Sequence, residues 1–266
     1  MVEFVAADAT CKNGMPGYLA IPKGDGKVPA VVILHERYGF GQHQRDIADR
    51  FARNGIAGFA INGFFQCDYQ PDLAAGTKRF RITDPESVEY TKLAIEVLKE
   101  TGRVDLNKIA LLGMCQTGRH PLIVAAETNA LAAAICWYGA GSNKEFEVSQ
   151  YYTKPLADYL ANAKCPILGL FGALDNHIPA SNVRRIRDEL EKHRKMFEIY
   201  ILENAPHGYL NNCMLQRYRH EQSEHSWKVQ LEFLDKAFNR SFPPDQLRQY
   251  YLANLAANEN APYDPD

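Results

Sequence analysis

"KIALLGMCQTGRH", residues 108–120, is the stretch on which the fold turns. An apolar run of strand type stops at Gly113, a cysteine stands at 115, and Thr117 and Gly118 follow it. Free cysteine is a small hydrophobe and among the most often buried residue types. The alternative is a nucleophile on a sharp turn between a strand and a helix. Such a turn needs small residues two before and two or three after the nucleophile, because larger side chains would collide where the chain reverses. Gly113, Thr117 and Gly118 meet that demand, although Thr117 is bulkier than the usual glycine. The free N–H groups and dipole of a helix starting there favour an anion, and a thiol needs such help to ionise at neutral pH.

Outward from this stretch, short apolar runs recur: "VPAVVIL" (28–34), "GIAGFAI" (55–61), "ALAAAICWY" (130–138), "CPILGLF" (165–171) and "FEIYIL" (197–202). Continuous apolar strands suit a parallel sheet covered on both faces. Amphipathic segments alternate with them. In "TDPESVEYTKLAIEVLKETG" (83–102), Thr83 and Glu86 have capping-box spacing, Pro85 fits the first turn and Gly102 supplies the stop. "QHQRDIADRFARNG", "SNVRRIRDELEKH" and "EHSWKVQLEFLDKAF" read as further helices. Ahead of this alternation, "VEFVA" and "GYLAIP" read as an antiparallel hairpin on the sheet edge. The chain is therefore an α/β protein with a mostly parallel central sheet and helices on both faces. Residues 1–238 read as a single domain. Within it, 141–163 is long and aromatic, as expected of a lid or insert near a pocket. Residues 239–266 read as a C-terminal extension, a short helix followed by a loose end.

Bulk properties narrow the function. The 266 residues carry 30 Lys and Arg against 32 Asp and Glu, with neither sign massed in one segment. Nucleic-acid binding rests on clustered Lys and Arg, so it is not expected, and no polybasic membrane anchor is present. The longest apolar stretch, Ala130 to Tyr138, is too short to span a bilayer. "MVEFVAADAT" lacks the basic and apolar regions of a secretory signal. The six cysteines, 11, 67, 115, 136, 165 and 213, are scattered and form no C-x-x-C motif. A reducing cytoplasm is the expected setting, with most thiols serving as packing.

If Cys115 attacks, an acid and a histidine should follow it in that order. "PILGLFGALDNHIP" places Asp175 just past an apolar strand, and "YILENAPHGYL" places His207 in the loop after the next. An Asp on Nδ1 would fix the tautomer and leave Nε2 facing the sulfur. His177 is a rival base, but it sits on the acid's own turn. Asp175, for its part, has an ordinary alternative as a helix cap.

"GMCQTG", "DNHIP" and "HGY" together resemble the dienelactone hydrolases (carboxymethylenebutenolidases) of the α/β-hydrolase fold, from about residue 15 to 238. "VVILHERYGFGQHQRDIADRF" adds the strand-end glutamate of that family at Glu36. The resemblance implies that Glu36 pairs with or deprotonates the resting thiol, and that the backbone N–H groups of Arg37 and Gln116 form an oxyanion hole. It also implies substrate-carboxylate arginines where an ungapped reading finds Gln66 and Asn211, so the usual clamp is replaced. Arg37, Arg79 or Arg81 then becomes a candidate cation from a new direction. Tyr138 is counted with Gln66, Arg79, Arg81 and Asn211 as a substrate-binding candidate, and Tyr151, Tyr152 and Tyr159 are expected to shape the pocket mouth.

The expected activity is hydrolysis of a small ester or lactone through a Cys115–His207–Asp175 triad tuned by Glu36, with no metal or organic cofactor. Acyl transfer or C–C bond hydrolysis with the same triad is one alternative. A non-catalytic ligand binder with a thiol sensor is another. The partner is a small-molecule substrate; oligomeric state is not legible.

Overall fold

The computed structural model describes residues 1–243, and the part of the expected C-terminal extension beyond them lies outside the described residues. The chain begins with strands β1 (Phe4–Thr10), β2 (Pro16–Pro22) and β3 (Val28–Ile33), followed by helix α1 (Gln42–Arg53) and strand β4 (Ala57–Ile61). Helices α2 (Gln70–Ala75) and α3 (Asp84–Glu100) lead to the central strand β5 (Val104–Met114) and then to α4 (His120–Glu127). The second half runs β6 (Ala133–Trp137), α5 (Leu156–Ala161), β7 (Ile167–Gly172), α6 (Ala180–Lys192), β8 (Phe197–Leu202) and α7 (His220–Asn239).

The eight strands form one sheet in the order β1-β2-β4-β3-β5-β6-β7-β8. β1 and β2 make the antiparallel edge hairpin, β2 also runs antiparallel to β4, and every remaining pair is parallel. β5 starts earlier than the 108–114 run because Val104 pairs with Val28 before a register shift. Side chains alternate between two cores. Val31, Ile33, Ala110 and Leu112 face the side covered by α1 and α7, where Phe51, Trp227 and Phe233 are buried. Val32, Ile109 and Leu111 face the side covered by α3 to α6. Strands buried on both faces must be apolar at every position, which is why these runs lack polar alternation.

α3 starts as its sequence requires. Thr83 Oγ1 accepts from Glu86 N, and the Glu86 carboxylate accepts from Thr83 N at 2.6 Å. In the 141–163 segment, Leu156, Tyr159 and Leu160 of α5 are buried, and α5 packs on α4 and α6. That half of the segment is scaffold, and only its first half faces a cavity. Among the described residues no helix is long and apolar enough to cross a membrane.

Candidate active site

The parallel strands deliver their carboxyl ends to one edge of the sheet, where crevices form in open α/β folds. There β5 ends at Met114, and the chain turns through a short 3-10 segment, Cys115–Thr117, before α4. Cys115 has φ +53°, a conformation that non-glycine residues adopt at a cost of about 1 kcal/mol or more. The turn leaves no room for side chains at its flanks. A Cβ at Gly113 would sit 2.3 Å from the Thr117 carbonyl oxygen, and one at Gly118 would sit 2.6 Å from Gly139 Cα. Thr117 is tolerated because its side chain bonds within the back of the turn. Its hydroxyl donates to the His35 carbonyl at 2.8 Å and accepts from Met114 N at 3.1 Å. This stitches the end of β5 to the loop after β3.

Cys115 Sγ lies 3.1 Å from Nε2 of His207, which follows β8. His207 Nδ1 is 2.8 Å from Asp175 Oδ2 at the end of β7. A carboxylate only accepts, so Nδ1 carries the proton and Nε2 faces the sulfur. Asp175 also serves its own turn, because Oδ1 accepts from the N–H groups of His177 and Ile178 at 2.8 and 2.9 Å. The cap and the histidine contact coexist, one oxygen each. Burial works against a charge on His207, but the hydrogen bonds and charges of Asp175 and Cys115 overcome it and push its pKa up to about 10. The ring is packed edge-on between Tyr138, at 5.4 Å, and His177, at 4.9 Å. Burial and the charge of His207 push the His177 pKa down, so this rival imidazole stays neutral beside the pair.

Glu36 is 4% exposed at the end of β3 and reaches the same cavity. Its carboxylate accepts from Asn211 Nδ2 at 2.5 Å. Asn211 is itself 3% exposed and does not line the cavity, so it holds Glu36 and is not placed to hold substrate. Tyr138 is fully buried at φ +34°, and its hydroxyl has no hydrogen-bond partner among the described residues. Burial, with the nearby charges of Glu36 and Cys115, raises its pKa well above the usual phenol value, so that hydroxyl keeps its proton at the cavity wall.

The cavity in front of Cys115 measures about 290 Å³. Arg37, Arg79, Arg81 and Arg217 line it, against the carboxylates of Glu36 and Glu145. Arg37 donates to the Gly76 carbonyl at 2.7 Å, and Arg81 donates to the Tyr152 hydroxyl at 2.9 Å. Glu145 is engaged by buried Arg119 at 3.5 Å, and Arg119 also pairs with Asp84 at 2.9 Å. The excess charge facing the cavity is therefore positive. Gln116 lines the cavity and donates its side-chain amide to the Phe80 carbonyl.

Beyond Asn211, two further sequence expectations are corrected. Gln66 is exposed and outside the cavity, because Phe64 turns inward onto His35 and leaves Gln66 at the tip of the turn after β4. Tyr159 is 3% exposed and donates to Asp84 at 3.2 Å, so it belongs to the scaffold, whereas Tyr152 reaches the mouth. Arg217 and Glu145 were missed. Arg217 lies ten residues beyond His207, and no local pattern marks it as returning to the cavity; an Arg in a loop is ordinarily a solvated charge. Among the described residues no group of three His, Cys, Asp or Glu side chains is disposed to hold a metal ion.

Residues 15–238 match the family model described as "Dienelactone hydrolase family". A "Putative carboxymethylenebutenolidase" of Escherichia coli K12 is 29% identical over 228 residues, covering 83% of this chain and 82% of that protein. A Bradyrhizobium protein named "Probable 2-oxo-3-(5-oxofuran-2-ylidene)propanoate lactonase" is 25% identical, covering 82% of this chain and 87% of its own. The crystal structure of a "Putative Dienelactone Hydrolase" from Klebsiella pneumoniae superposes with a TM-score of 0.78 at 25% identity, covering 88% of this chain and 99% of that one.

Proposed function

Because the chain belongs to the dienelactone hydrolase family of α/β hydrolases, we propose that it hydrolyses a small, anionic ester or enol lactone with Cys115 as the nucleophile. The observation that carries this reading is the chain of contacts from Cys115 Sγ to His207 at 3.1 Å and from His207 to Asp175 at 2.8 Å. A histidine held protonated against a thiol supports a thiolate–imidazolium pair, and the thiolate is the nucleophilic form.

The thiolate attacks the carbonyl carbon, and the carbonyl electrons move to oxygen. The backbone N–H groups of Arg37 and Gln116, both residues of the cavity lining, are assigned as the donors that stabilise that oxyanion. Collapse breaks the C–O bond, and the His207 imidazolium gives its Nε2 proton to the leaving oxygen. His207 then takes a proton from water, the resulting hydroxide attacks the thioester, and the thiolate departs. Enolate leaving groups need little assistance, so an enol lactone suits a thiol enzyme. The Tyr138 hydroxyl supplies a further donor to the bound carbonyl region.

The four arginines at the cavity support a negatively charged substrate. The relative named as a lactonase of a propanoate-bearing furanone supports the same class. Arg81 and Arg217 take the part of the carboxylate clamp that Gln66 and Asn211 do not fill. The cavity volume limits the portion next to the scissile bond to a small ring or short chain. The test compares a carboxylate-bearing enol lactone with its methyl ester in wild type, Arg81→Gln and Arg217→Gln. Each variant should raise KM for the acid about tenfold and leave the neutral ester unchanged. Equal effects on both lactones would contradict the anionic assignment.

A further inference from the structure

A second depression opens beside the Cys115 cavity. It is an open groove of about 850 Å³, walled by the rings of Tyr69, Phe80 and Tyr151 and by Lys144. Arg79, Arg81, Ser142 and Tyr152 line both spaces, so the groove continues the cavity. We propose that this groove is a second subsite, which takes an anionic aromatic group carried at the far end of the substrate. The inference rests on the hydrolase reading above and extends its substrate class from a small lactone to a longer aryl-bearing acid.

Three observations argue for it. The wall between the two spaces is fixed. Arg81 donates to the Tyr152 hydroxyl at 2.9 Å, and the Tyr152 ring lies on the guanidinium of Arg119, 4.1 Å from its centroid. Arg119 is 2% exposed and locked by Asp84 and Glu145, so the ring's orientation is set from inside the molecule. The floor is fixed as well: Tyr69 donates to the Arg79 carbonyl, and the Phe80 carbonyl accepts the side chain of Gln116, the residue after the nucleophile. A site whose walls are already held loses little entropy on binding.

The chemistry of the lining selects the ligand. Aromatic faces stack on planar rings, and Arg79, Arg81 and Lys144 outnumber the one carboxylate, Glu147. Neither Arg79 nor Lys144 forms an ion pair among the described residues. Tyr151 is 42% exposed, and its ring lies 5.3 Å from the Arg81 guanidinium, so it presents its outer face to solvent. A planar ring with a carboxylate matches both features; a ring or an anion alone matches one.

The probe is 2-naphthoate, titrated calorimetrically into the full-length Cys115→Ala protein, with acetate and 2-naphthol as the anion-only and ring-only controls. Naphthoate should bind at least tenfold more tightly than either control. Tyr151→Ala and Lys144→Ala should each weaken it by about tenfold, yet leave turnover of p-nitrophenyl acetate by the otherwise wild-type enzyme unchanged. Naphthoate should also inhibit competitively a substrate that fills both spaces, a p-nitrophenyl ester of an aryl acid. Binding no tighter than the controls, or undiminished in both variants, would overturn the subsite, and non-competitive inhibition would overturn its continuity with the cavity. Calorimetry needs no turnover, so the groove is tested even if Cys115 proves not to be the nucleophile.

Discussion

The Glu36 carboxylate is buried at the cavity that Cys115 and His207 also line, and the side-chain amide of Asn211 is the donor that holds it. A buried carboxylate without donors is costly, on the order of 1–3 kcal/mol for each lost hydrogen bond and more where charge is uncompensated. Asn211 in turn is oriented by accepting from Cys213 N at 2.9 Å. Asn211→Ala should therefore lower stability by about 1–3 kcal/mol, and Asn211→Asp should lower it further by setting two carboxylates against each other. Glu36→Gln should rescue the Asp variant, read by urea unfolding; no rescue would mean that the Asn211–Glu36 contact is not what the variant breaks. At this scale the sequence was legible where chain order and strand ends constrain position, as for Cys115, Asp175 and His207, whereas Glu36 was legible only through the family resemblance. It was illegible where an ungapped count stood in for geometry. Gln66 sits at a turn tip, Asn211 is turned back to Glu36, and Arg217 reaches the cavity from a loop whose path only the fold defines.

The element that matters most is the turn between β5 and α4. Its glycines permit the backbone contacts of the turn, but Thr117 holds it to the neighbouring loop that carries Glu36 and Arg37. Thr117→Val keeps the shape and removes the hydroxyl, leaving the Met114 N–H and the His35 carbonyl unpaired. The expected loss is about 1–3 kcal/mol of stability together with at least tenfold in kcat, because the oxyanion donors proposed above lie on the two segments it joins. Thr117→Ser, which keeps the hydroxyl, should restore most of both. A Val variant with wild-type kcat would show that the link does not position the site. This turn was readable from small-residue spacing alone, as was the start of α3 from its capping box. The 141–163 segment was readable only as an aromatic connection, because nothing local separates Tyr152 at the cavity from Tyr159 beneath it. That difference comes from α5 packing on α4 and α6.

At the scale of the whole molecule, two buried imidazoles set the acid limit of stability. Burial pushes the His35 pKa down to about 4, and burial with the charges of Arg119 and Arg81 pushes His120 down to about 3. Both bind protons more weakly in the folded state than unfolded, so they stabilise the fold above about pH 6.5 and that contribution is lost as pH falls through 4 and 3. His207 has the opposite sign: raised to about 10, its contribution is present below about pH 6.5 and lost as pH rises through 10. Stability should therefore peak near neutrality. His120→Leu should flatten the acid side, losing about 2 kcal/mol less than wild type between pH 7 and pH 4.5 in urea unfolding. Identical losses would mean that His120 titrates normally in the fold. The sheet, both helical faces and the edge hairpin were legible because continuous apolar runs admit few other arrangements. The buried polar cluster of Arg119, Asp84 and Glu145 was not, since its partners lie far apart in sequence.

The central claim is that Cys115 forms a covalent acyl intermediate. Intact mass recorded during turnover of p-nitrophenyl acetate tests it most directly, with wild type beside Cys115→Ala. A transient acetyl adduct on the wild type that maps to Cys115, absent from the variant along with its turnover, is the predicted result. Equal rates in the two proteins with no adduct would contradict it.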